Sequence, residues 1–313
     1  MADPLPIMAL ALDAMIGWPD AVYRRVGHPV GLFAGIIDAC ALRWNKPTIG
    51  ELHRRLLGVV TLLILVSLTV GSALALDHLA QAALGPLSFI PLAALAWPAL
   101  AQRSLYDHVR PVAIALERGD TLSARQAVSM IVGRDTCELN TAGIARAAIE
   151  SLAESFCDGV TAPLFWLIVA GLPGLWAYKA VNTADSLIGH RERRWRDYGW
   201  AAARADDVLN LLPARLGAIV ICIAGGGGWK TLWRDHARHA SPNAGWTEAA
   251  MAGVLGVGLA GPVSYDGVLH SKDWIGAGRS EVDARDIRKA LVIYVRSCLI
   301  LAVIATVLVW ERG

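Results

Sequence analysis

Three carboxylates at regular helical spacing, Glu150, Glu154 and Asp158, are the residues best suited to chemistry. On an α-helix, a step of four residues rotates a side chain by only about 40°, so all three are expected on one face. Such a face can hold Mg²⁺, which prefers oxygen ligands and brings phosphates with it. The alternative is a solvated face, although like charges at this spacing destabilise a helix unless a cation compensates. We therefore interpret all three as catalytic, with Glu154 and Asp158 as metal ligands.

A second polar patch follows an apolar run and consists of Lys179, Asn182 and Asp185, three residues apart. Residues at this spacing are neighbours on a helix surface. The lysine could contact a phosphate, while Asn182 and Asp185 could reach a metal ion or an amine. We interpret Asp185 as catalytic and the other two as substrate-binding or phosphate-binding residues.

A third patch contains Asp206, Asp207 and Asn210, with Arg204 and Arg215 on either side. Two oxygen-rich patches separated by a basic stretch suit a metal–nucleotide site, in which cations also meet the phosphates. We predict metal binding by the two aspartates and phosphate binding by the two arginines. The alternative is that the aspartates cap the apolar run that follows them.

The basic run that begins with His190 and Arg191 has two interpretations. One is a cytoplasmic anchor that contacts anionic lipid. The other is the capture of phosphate or of substrate carboxylates by arginine forks. Further along the chain, Asn243 and Glu248 belong to a turn and the helix after it, where Ser241 or Thr247 could act as a cap. Asn243 and Glu248 could instead face the site, and we include them as substrate-binding candidates.

The composition indicates that membrane-spanning elements position these groups. The chain has 313 residues, of which 55% are hydrophobic and 18% charged, and its mean hydropathy is +0.45. Soluble domains average roughly 25% charged residues, so we expect a polytopic membrane protein. The net charge of +2 is too small to indicate nucleic-acid binding. Its five cysteines have neither CxxC spacing nor a histidine pair at zinc spacing, which argues against a structural zinc site.

The apolar runs predict an all-α fold of three to five spans in a single domain, residues 1–313. Complete spans are expected near 56–76, 82–101 and 290–309, because these runs are long enough to cross a bilayer. The basic residues at 53–55 place the start of the first span on the cytoplasmic side. Every sizeable polar segment is basic, so the runs at 159–178 and 209–228, which contain proline or glycine, are predicted to be broken or re-entrant. Small residues near Gly253 and Gly256 permit a homo-oligomer without proving one.

The motifs together make the chain similar to a known family, the adenosylcobinamide-phosphate synthases of cobalamin biosynthesis (CobD/CbiB). The matching segments are collinear over nearly the whole chain: HPV at 28–30, GRDT at 133–136, ESLAESFCDGVTAPLFW at 150–166, AYKAVNTADSLIGH at 177–190, GWAAARADDVLNLLPARL at 199–216 and SPNAGWTEAAMAGVLGV at 241–257. One departure occurs at Gly17-Trp18-Pro19, where the family often has Gly-Asp-Pro. This puts an acidic role at that position in doubt.

The resemblance implies a ligase integral to the cytoplasmic (inner) membrane, with its active site on the cytoplasmic side. Its expected substrates are a corrinoid, (adenosyl)cobyric acid, and an amino alcohol, (R)-1-amino-2-propanol phosphate or a relative. ATP and Mg²⁺ are expected to drive formation of the amide bond. On this view Glu150, Glu154 and Asp158 hold Mg²⁺–ATP with help from Asp206 and Asp207. Lys179 binds phosphate with Arg191 or Arg204, Asn182 and Asp185 position the amine, and Asn243 and Glu248 contact the corrinoid amides.

Two other function classes fit parts of the pattern. A membrane prenyl-type transferase also uses paired aspartate motifs with Mg²⁺, but it requires a hydrophobic tunnel and no ATP. A non-catalytic membrane sensor or transport component would place ionisable groups in the middle of its spans. Here these groups cluster at the ends of the apolar runs, which disfavours transport.

Overall fold

The computed structural model describes residues 3–190, 192–265 and 268–311, with side chains at these positions except 20, 26, 263–265 and 268–270. The chain is 77% helical with almost no sheet. The predicted all-α polytopic membrane fold is therefore confirmed. Internal contacts divide the chain into two compact units.

The helices of the described residues are, in chain order, Leu5–Ile16 (α1), Asp20–Val26 (α2), Pro29–Trp44 (α3), Glu51–Leu84 (α4), Phe89–Ala96 (α5), Gln102–Glu117 (α6), Thr121–Ser129 (α7), Thr141–Phe156 (α8), Ala162–Ile188 (α9), Trp200–Leu209 (α10), Leu211–Gly225 (α11), Trp229–Asp235 (α12), Ala244–Leu255 (α13) and Ala284–Glu311 (α14). Between α13 and α14 lie the short strands Leu259–Ala260 (β1), Val263–Tyr265 (β2), Val268–His270 (β3) and Trp274–Ile275 (β4). Strand β1 pairs with β4 and β2 pairs with β3, both antiparallel.

The first unit is assembled from three separated stretches of the chain and the second from two, and α14 contributes residues to both. The first unit contains the residues up to Ala101, Ala162–Asn210 and the residues from Ala305 onward, and thus α1–α5, α9 and α10. The second contains Gln102–Thr161 and Leu211–Ile304, and thus α6–α8, α11–α13, the four strands and most of α14. The predicted site residues are divided between the two units.

Three helical stretches are long and apolar enough to cross a membrane: Glu51–Leu87, Thr141–Ile188 and Ala284–Glu311. The bent pair α10–α11 makes a fourth if it is taken as one span. Within the described residues, these stretches qualify as spans by their length and composition. They agree with the expected number of spans and with the expectation of broken helices.

The apolar run at 82–101, predicted to be a complete span, does not form one continuous helix. Helix α4 takes its first residues and ends at Leu84, before Gly85 with φ 53°. A 3₁₀ turn, the eight-residue helix α5 and a second 3₁₀ turn follow. Eight residues extend only about 12 Å, well short of a bilayer core. Pro86 and Pro98 lie within the two 3₁₀ turns and lack the N–H that a longer helix would need.

The run at 159–178 contains two irregularities. Residues Cys157–Thr161 form a π-helical turn between α8 and α9. Within α9 the backbone leaves helical geometry at Ala170 and Gly171, and Gly171 has φ 62°. Pro173 follows directly and cannot donate the helical hydrogen bond, which accounts for a break at this point. The other suspected run, 209–228, is interrupted at Asn210 between α10 and α11.

In the first unit, α3, α4, α9 and α10 enclose a core around Ile37, Leu65 and Tyr198. The Tyr198 hydroxyl lies 2.6 Å from the Thr61 hydroxyl, so this buried polar group has a partner. At Gly58 the backbone of α4 approaches the Tyr198 carbonyl so closely that a Cβ would lie 1.8 Å from the oxygen. This glycine allows close contact with the turn segment 192–199.

In the second unit, α8 packs against α6 and α13, while α13 packs against α11 and α12. Helix α7 is capped at its start by Asp120, whose side chain accepts a hydrogen bond from the Ser123 N–H. The β1–β4 pair lies against α8 and α13. No period-2 pattern marks this pair in the sequence, since each strand has only two residues.

Candidate active site

Helix α8 carries the first two predicted carboxylates. Its start is fixed by Asn140, whose side chain accepts a hydrogen bond from the Gly143 N–H at 2.8 Å. Its apolar residues are buried against the neighbouring helices of the second unit. Glu150 and Glu154, one turn apart, both line a cavity in this unit. The structure therefore supports the predicted common face for these two residues.

Glu150 is buried and held by two partners. Arg134, from the GRDT motif, forms an ion pair with one of its oxygens. The other oxygen accepts a hydrogen bond from the Ala260 N–H of β1 at 2.7 Å. Ala260 has φ 58°, an unfavourable conformation for a residue with a Cβ, and such strain tends to occur at functional sites. Both Glu150 oxygens are thus used within the protein, and the carboxylate is fixed in orientation.

Glu248 reaches the same cavity from α13. The residue is only 3% exposed, and within the described part of the chain its Oε2 is buried without a hydrogen-bond partner. Its Oε1 lies 3.7 Å from Nε2 of His239. A buried polar atom without a partner costs about 1–3 kcal/mol, so such an atom calls for a reason, and a ligand in the cavity is one.

The cavity has a volume of about 180 Å³ and combines groups of both charges. Glu150, Glu154 and Glu248 supply carboxylates, while Arg134 and Lys272 supply cations. The lining is completed by Ile131, Val132, Gly133, Ser151, Ser155, His239 and Ala260. Small-molecule pockets commonly measure about 300–1,000 Å³, so this one suits a small polar group and not a whole macrocycle.

Burial and mutual repulsion set the protonation of the groups outside the spanning helices. Burial raises the pKa of Glu248 well above its ordinary value, and the nearby Glu150 and Glu154 carboxylates raise it further. Burial also lowers the pKa of His239, and the charge of Lys272 adds to this effect. The cavity therefore favours a protonated Glu248 and a neutral His239 when no ligand compensates.

In the first unit, Asp206 is the centre of a buried hydrogen-bond network. Its Oδ1 accepts from the Asn182 amide at 3.2 Å, and its Oδ2 accepts from the Asn210 amide at 2.9 Å. The Tyr178 hydroxyl donates to Asn210 Oδ1 at 3.0 Å. Asn182 and Asp206 thus meet, as the sequence predicted for parts of one site. The amides occupy one position on each Asp206 oxygen, so a structural role competes with metal binding here.

The other residues of these two patches lie nearby on the same helices. Asp207 pairs with Arg204, one turn away on α10, at 2.8 Å. Lys179 is half-buried on α9. Burial, and to a smaller extent the charge of Lys179, lowers the pKa of His28 in the HPV motif. Asp185 Oδ1 packs against Gly189, where a Cβ would lie only 1.9 Å away.

The remaining predicted residues occupy separate positions. Asp158 lies in the π-helical turn and, within the described residues, does not line the cavity. His190 is exposed, and Arg191 lies outside the described residues. Arg215 donates to Asn243 Oδ1 at 3.1 Å and stacks 4.6 Å above the ring of Trp246.

No group of three or more histidine, cysteine, aspartate or glutamate side chains within the described ranges is arranged to hold a metal ion. A magnesium site built from one or two carboxylates and the oxygens of a bound phosphate needs no such group. Glu154, which is exposed in the cavity, and Oε2 of Glu248 are the oxygen atoms best placed for that arrangement. The donor chemistry therefore fits Mg²⁺ with a phosphate.

Sequence reasoning did not identify four contributors to the cavity as site residues: Arg134, His239, Ala260 and Lys272. Arg134 had a signal, since it belongs to the polar GRDT motif. Ala260 acts through its backbone N–H, which no sequence pattern can reveal. Lys272 and His239 lie in loop segments without helical periodicity, so only the folded chain places them beside α8.

Comparison with known proteins gives a consistent result. The profile of the CobD/Cbib protein family matches residues 6–294. The chain is 46% identical over 294 residues to "Cobalamin biosynthesis protein CobD" of Rhodobacter capsulatus, covering 93% of this chain and 92% of that protein. It is 45% identical to the protein of the same name from a Sinorhizobium species, covering 94% of each. For the one from Rhizobium meliloti (strain 1021), identity is 43%, with 94% of this chain and 93% of the relative covered. No solved structure matches the chain.

Proposed function

Because this chain belongs to the CobD/CbiB family, we propose that it is an enzyme of cobalamin biosynthesis that acts in adenosylcobinamide-phosphate synthesis. The reaction we propose is ATP-dependent and Mg²⁺-dependent formation of an amide. It joins a carboxyl group of (adenosyl)cobyric acid to the amine of (R)-1-amino-2-propanol phosphate or a related amino alcohol. The observation that carries the proposal is the cavity of the second unit, where carboxylates and cations face one small space.

The chemistry requires groups of both charges. A carboxylate is a poor electrophile, so its oxygen first takes the terminal phosphoryl group of ATP and ADP leaves. The amine nitrogen then attacks the carbonyl carbon, the C–N bond forms, phosphate leaves and the ammonium proton passes to a base. Phosphoryl transfer depends mainly on positioning and charge neutralisation. Amide formation needs a base within hydrogen-bonding reach.

The cavity residues suit these tasks. Arg134 and Lys272 are placed to bind phosphate oxygens, and Arg134 is oriented by Glu150. Glu154 and Glu248 would hold Mg²⁺, which supplies charge neutralisation on the phosphates when it is bound. A carboxylate of the site that does not hold the metal would accept the proton of the amine. The volume of about 180 Å³ fits a phosphate or a small amino alcohol, with the corrinoid outside it.

The patches of the first unit keep the roles that the sequence predicts for them. Lys179 is proposed to bind phosphate, and Asn182 and Asp185 to position the amine. Metal binding by Asp206 and Asp207 also stays a proposal, and it requires them to exchange some of their present partners. Testing these residues separately from the cavity residues will show which unit supports catalysis.

The test uses the purified full-length protein with cobyric acid, aminopropanol phosphate and Mg²⁺, with and without ATP. Mass spectrometry is expected to find the amide only when ATP is present. Product formed without ATP would contradict the ligase proposal, and an ATP requirement would argue against a prenyl-type transferase.

Glu154→Gln is expected to lower the rate of product formation by about 100-fold or more, because it removes a carboxylate from the cavity. The matched control is Glu138→Gln, which makes the same change at an exposed position of the same unit. Full activity of Glu154→Gln would exclude this carboxylate from the mechanism. The sequence predicts that Asp158→Asn abolishes product formation and leaves membrane insertion intact, and full activity of that variant would remove Asp158 from the mechanism.

A further inference from the structure

A second cavity, of about 520 Å³, lies in the first unit where α4 begins. It is lined by the turn before α4, by Glu51 and by three arginines: Arg54 from α4, and Arg193 and Arg196 from the segment between α9 and α10. The proposed ligase reaction makes no use of it. Its lining is strongly basic, which raises the question of what anion it binds.

The arginines of this cavity are only partly neutralised. Arg54 donates to Asp197 at 2.9 Å, and Arg196 pairs with Glu51 at 3.0 Å. Arg193 is exposed, and no carboxylate among the described residues forms an ion pair with it. Nε of Arg54 is buried without a hydrogen-bond partner in the same part of the chain. The exposed Arg193 guanidinium thus has donors available to an anion at this cavity.

The position of the cavity along the chain indicates where its anion comes from. Helix α4 opens the apolar stretch Glu51–Leu87, which is long enough to cross a membrane. Beside the cavity, Arg55 lies 5.2 Å from the ring of Trp200, which is 43% exposed. Exposed tryptophan and arginine at the end of a span are typical of the headgroup region of a bilayer. The nearest anion in that region is then the phosphate of a lipid headgroup.

We propose that the cavity lined by Arg54, Arg193 and Arg196 binds the phosphate headgroup of an anionic phospholipid. The planar guanidinium group presents paired donors that match two phosphate oxygens, so the exposed Arg193 and Arg196 can bind one phosphate together. Glu51 and Asp197 hold the other arginine donors in place and prevent their mutual repulsion from opening the cavity. The site anchors the start of α4 and the 192–199 segment to the leaflet that faces the cytoplasm.

The experiment compares Arg193→Gln with Arg194→Gln in the full-length protein. Both variants lose one charge from adjacent positions, but Arg194 stacks on Trp195 at 4.4 Å and does not line the cavity. Each protein is placed in nanodiscs of phosphatidylcholine with or without phosphatidylglycerol. Native mass spectrometry measures the retained phosphatidylglycerol, and thermal unfolding measures its effect on stability. A further arm adds inorganic phosphate to the phosphatidylcholine nanodiscs.

The wild type and Arg194→Gln are expected to retain phosphatidylglycerol and to unfold at a higher temperature with it. Arg193→Gln is expected to lose about fivefold in retention, the effect of roughly 1 kcal/mol for one arginine at an anionic membrane. Equal losses in both variants would reveal general charge attraction and overturn the proposal. So would stabilisation by inorganic phosphate alone, because the site would then serve a soluble phosphate.

Discussion

The electrostatic cost of placing several carboxylates in one buried cavity falls mainly on Glu248. It is 3% exposed, it lies beside two other glutamates, and its Oε2 has no hydrogen-bond partner among the described residues. Glu150 has the same charge but differs in its contacts, since Arg134 and the Ala260 N–H stabilise its ionised form. Both oxygens of Glu150 therefore have protein partners, while Glu154 and Glu248 have oxygen atoms to offer a ligand.

The raised pKa of Glu248 predicts a specific dependence of stability on pH. Below the ordinary value of 4.5, the folded and unfolded states are both protonated. Above it the unfolded state loses the proton first, so the free energy of unfolding falls as pH rises, by up to about 1.4 kcal/mol per pH unit, until the folded pKa is passed. We expect Glu248→Gln to remove this decline in thermal unfolding curves recorded across that range.

The control for this measurement is Glu138→Gln, an exposed position in the same unit. It is expected to keep the decline seen in the wild type. His239 acts in the opposite sense, because a lowered pKa makes stability fall as pH drops below the ordinary value of 6.5. A Glu248→Gln curve parallel to the wild-type curve at every pH would contradict the assigned environment of Glu248.

At the scale of elements, close backbone contacts and helix breaks decide where the polar groups lie. The π-helical turn at Cys157–Thr161 interrupts the regular spacing before Asp158, whereas Glu150 and Glu154 stay on one α-helix. The short β1–β4 pair delivers the Ala260 N–H to Glu150. In the first unit, Gly58 lets α4 touch the segment that carries Arg193 and Arg196.

Gly58→Ala is expected to destabilise the protein by several kcal/mol, because its Cβ would lie 1.8 Å from the backbone oxygen of Tyr198 and neither backbone can yield easily. Gly71→Ala is the matched control on the same helix, since nothing lies within 4 Å of its added Cβ. The control is expected to be neutral or to gain about 1 kcal/mol from helix propensity. Thermal unfolding measures both, and equal midpoints for the two variants would disprove the close contact.

At the scale of the whole molecule, the apolar helices and the basic segments predict how the protein is oriented in the membrane. The helical stretches that are able to span include both α4 and α14. The basic residues immediately before the apolar part of α4 indicate that its start faces the cytoplasm. This orientation is required by the proposed lipid site and is consistent with a cytoplasmic active site.

Cysteine labelling tests this orientation. In a cysteine-free background, His53→Cys is expected to react with a membrane-impermeant maleimide only from the cytoplasmic side. Gln81→Cys, near the other end of the same helix, is expected to react only from the opposite side. Both positions are exposed, so access within the protein does not limit either reaction. Labelling of both cysteines from one side would show that α4 does not cross the membrane.

The sequence by itself determined the fold class, the family and the common face of Glu150 and Glu154. These depend on local properties, namely apolar length, the periodicity of a helix and the order of motifs along the chain. Proline and glycine in the apolar runs likewise predicted the helix breaks near Gly171 and Asn210. The hydropathy of the run at 82–101 was high enough for a membrane span, so the sequence predicted one. In the structure Gly85, Pro86 and Pro98 lie where the helices of this run end.

Only the tertiary structure decided which polar groups meet. His239, Ala260 and Lys272 are far from Glu150 in the chain, and no local pattern marks their approach. The network that occupies Asp206 depends in the same way on an amide from another helix. A buried charge is tolerated only where the fold supplies a partner. Because packing can bring that partner from anywhere in the chain, such contacts are decided by the tertiary structure.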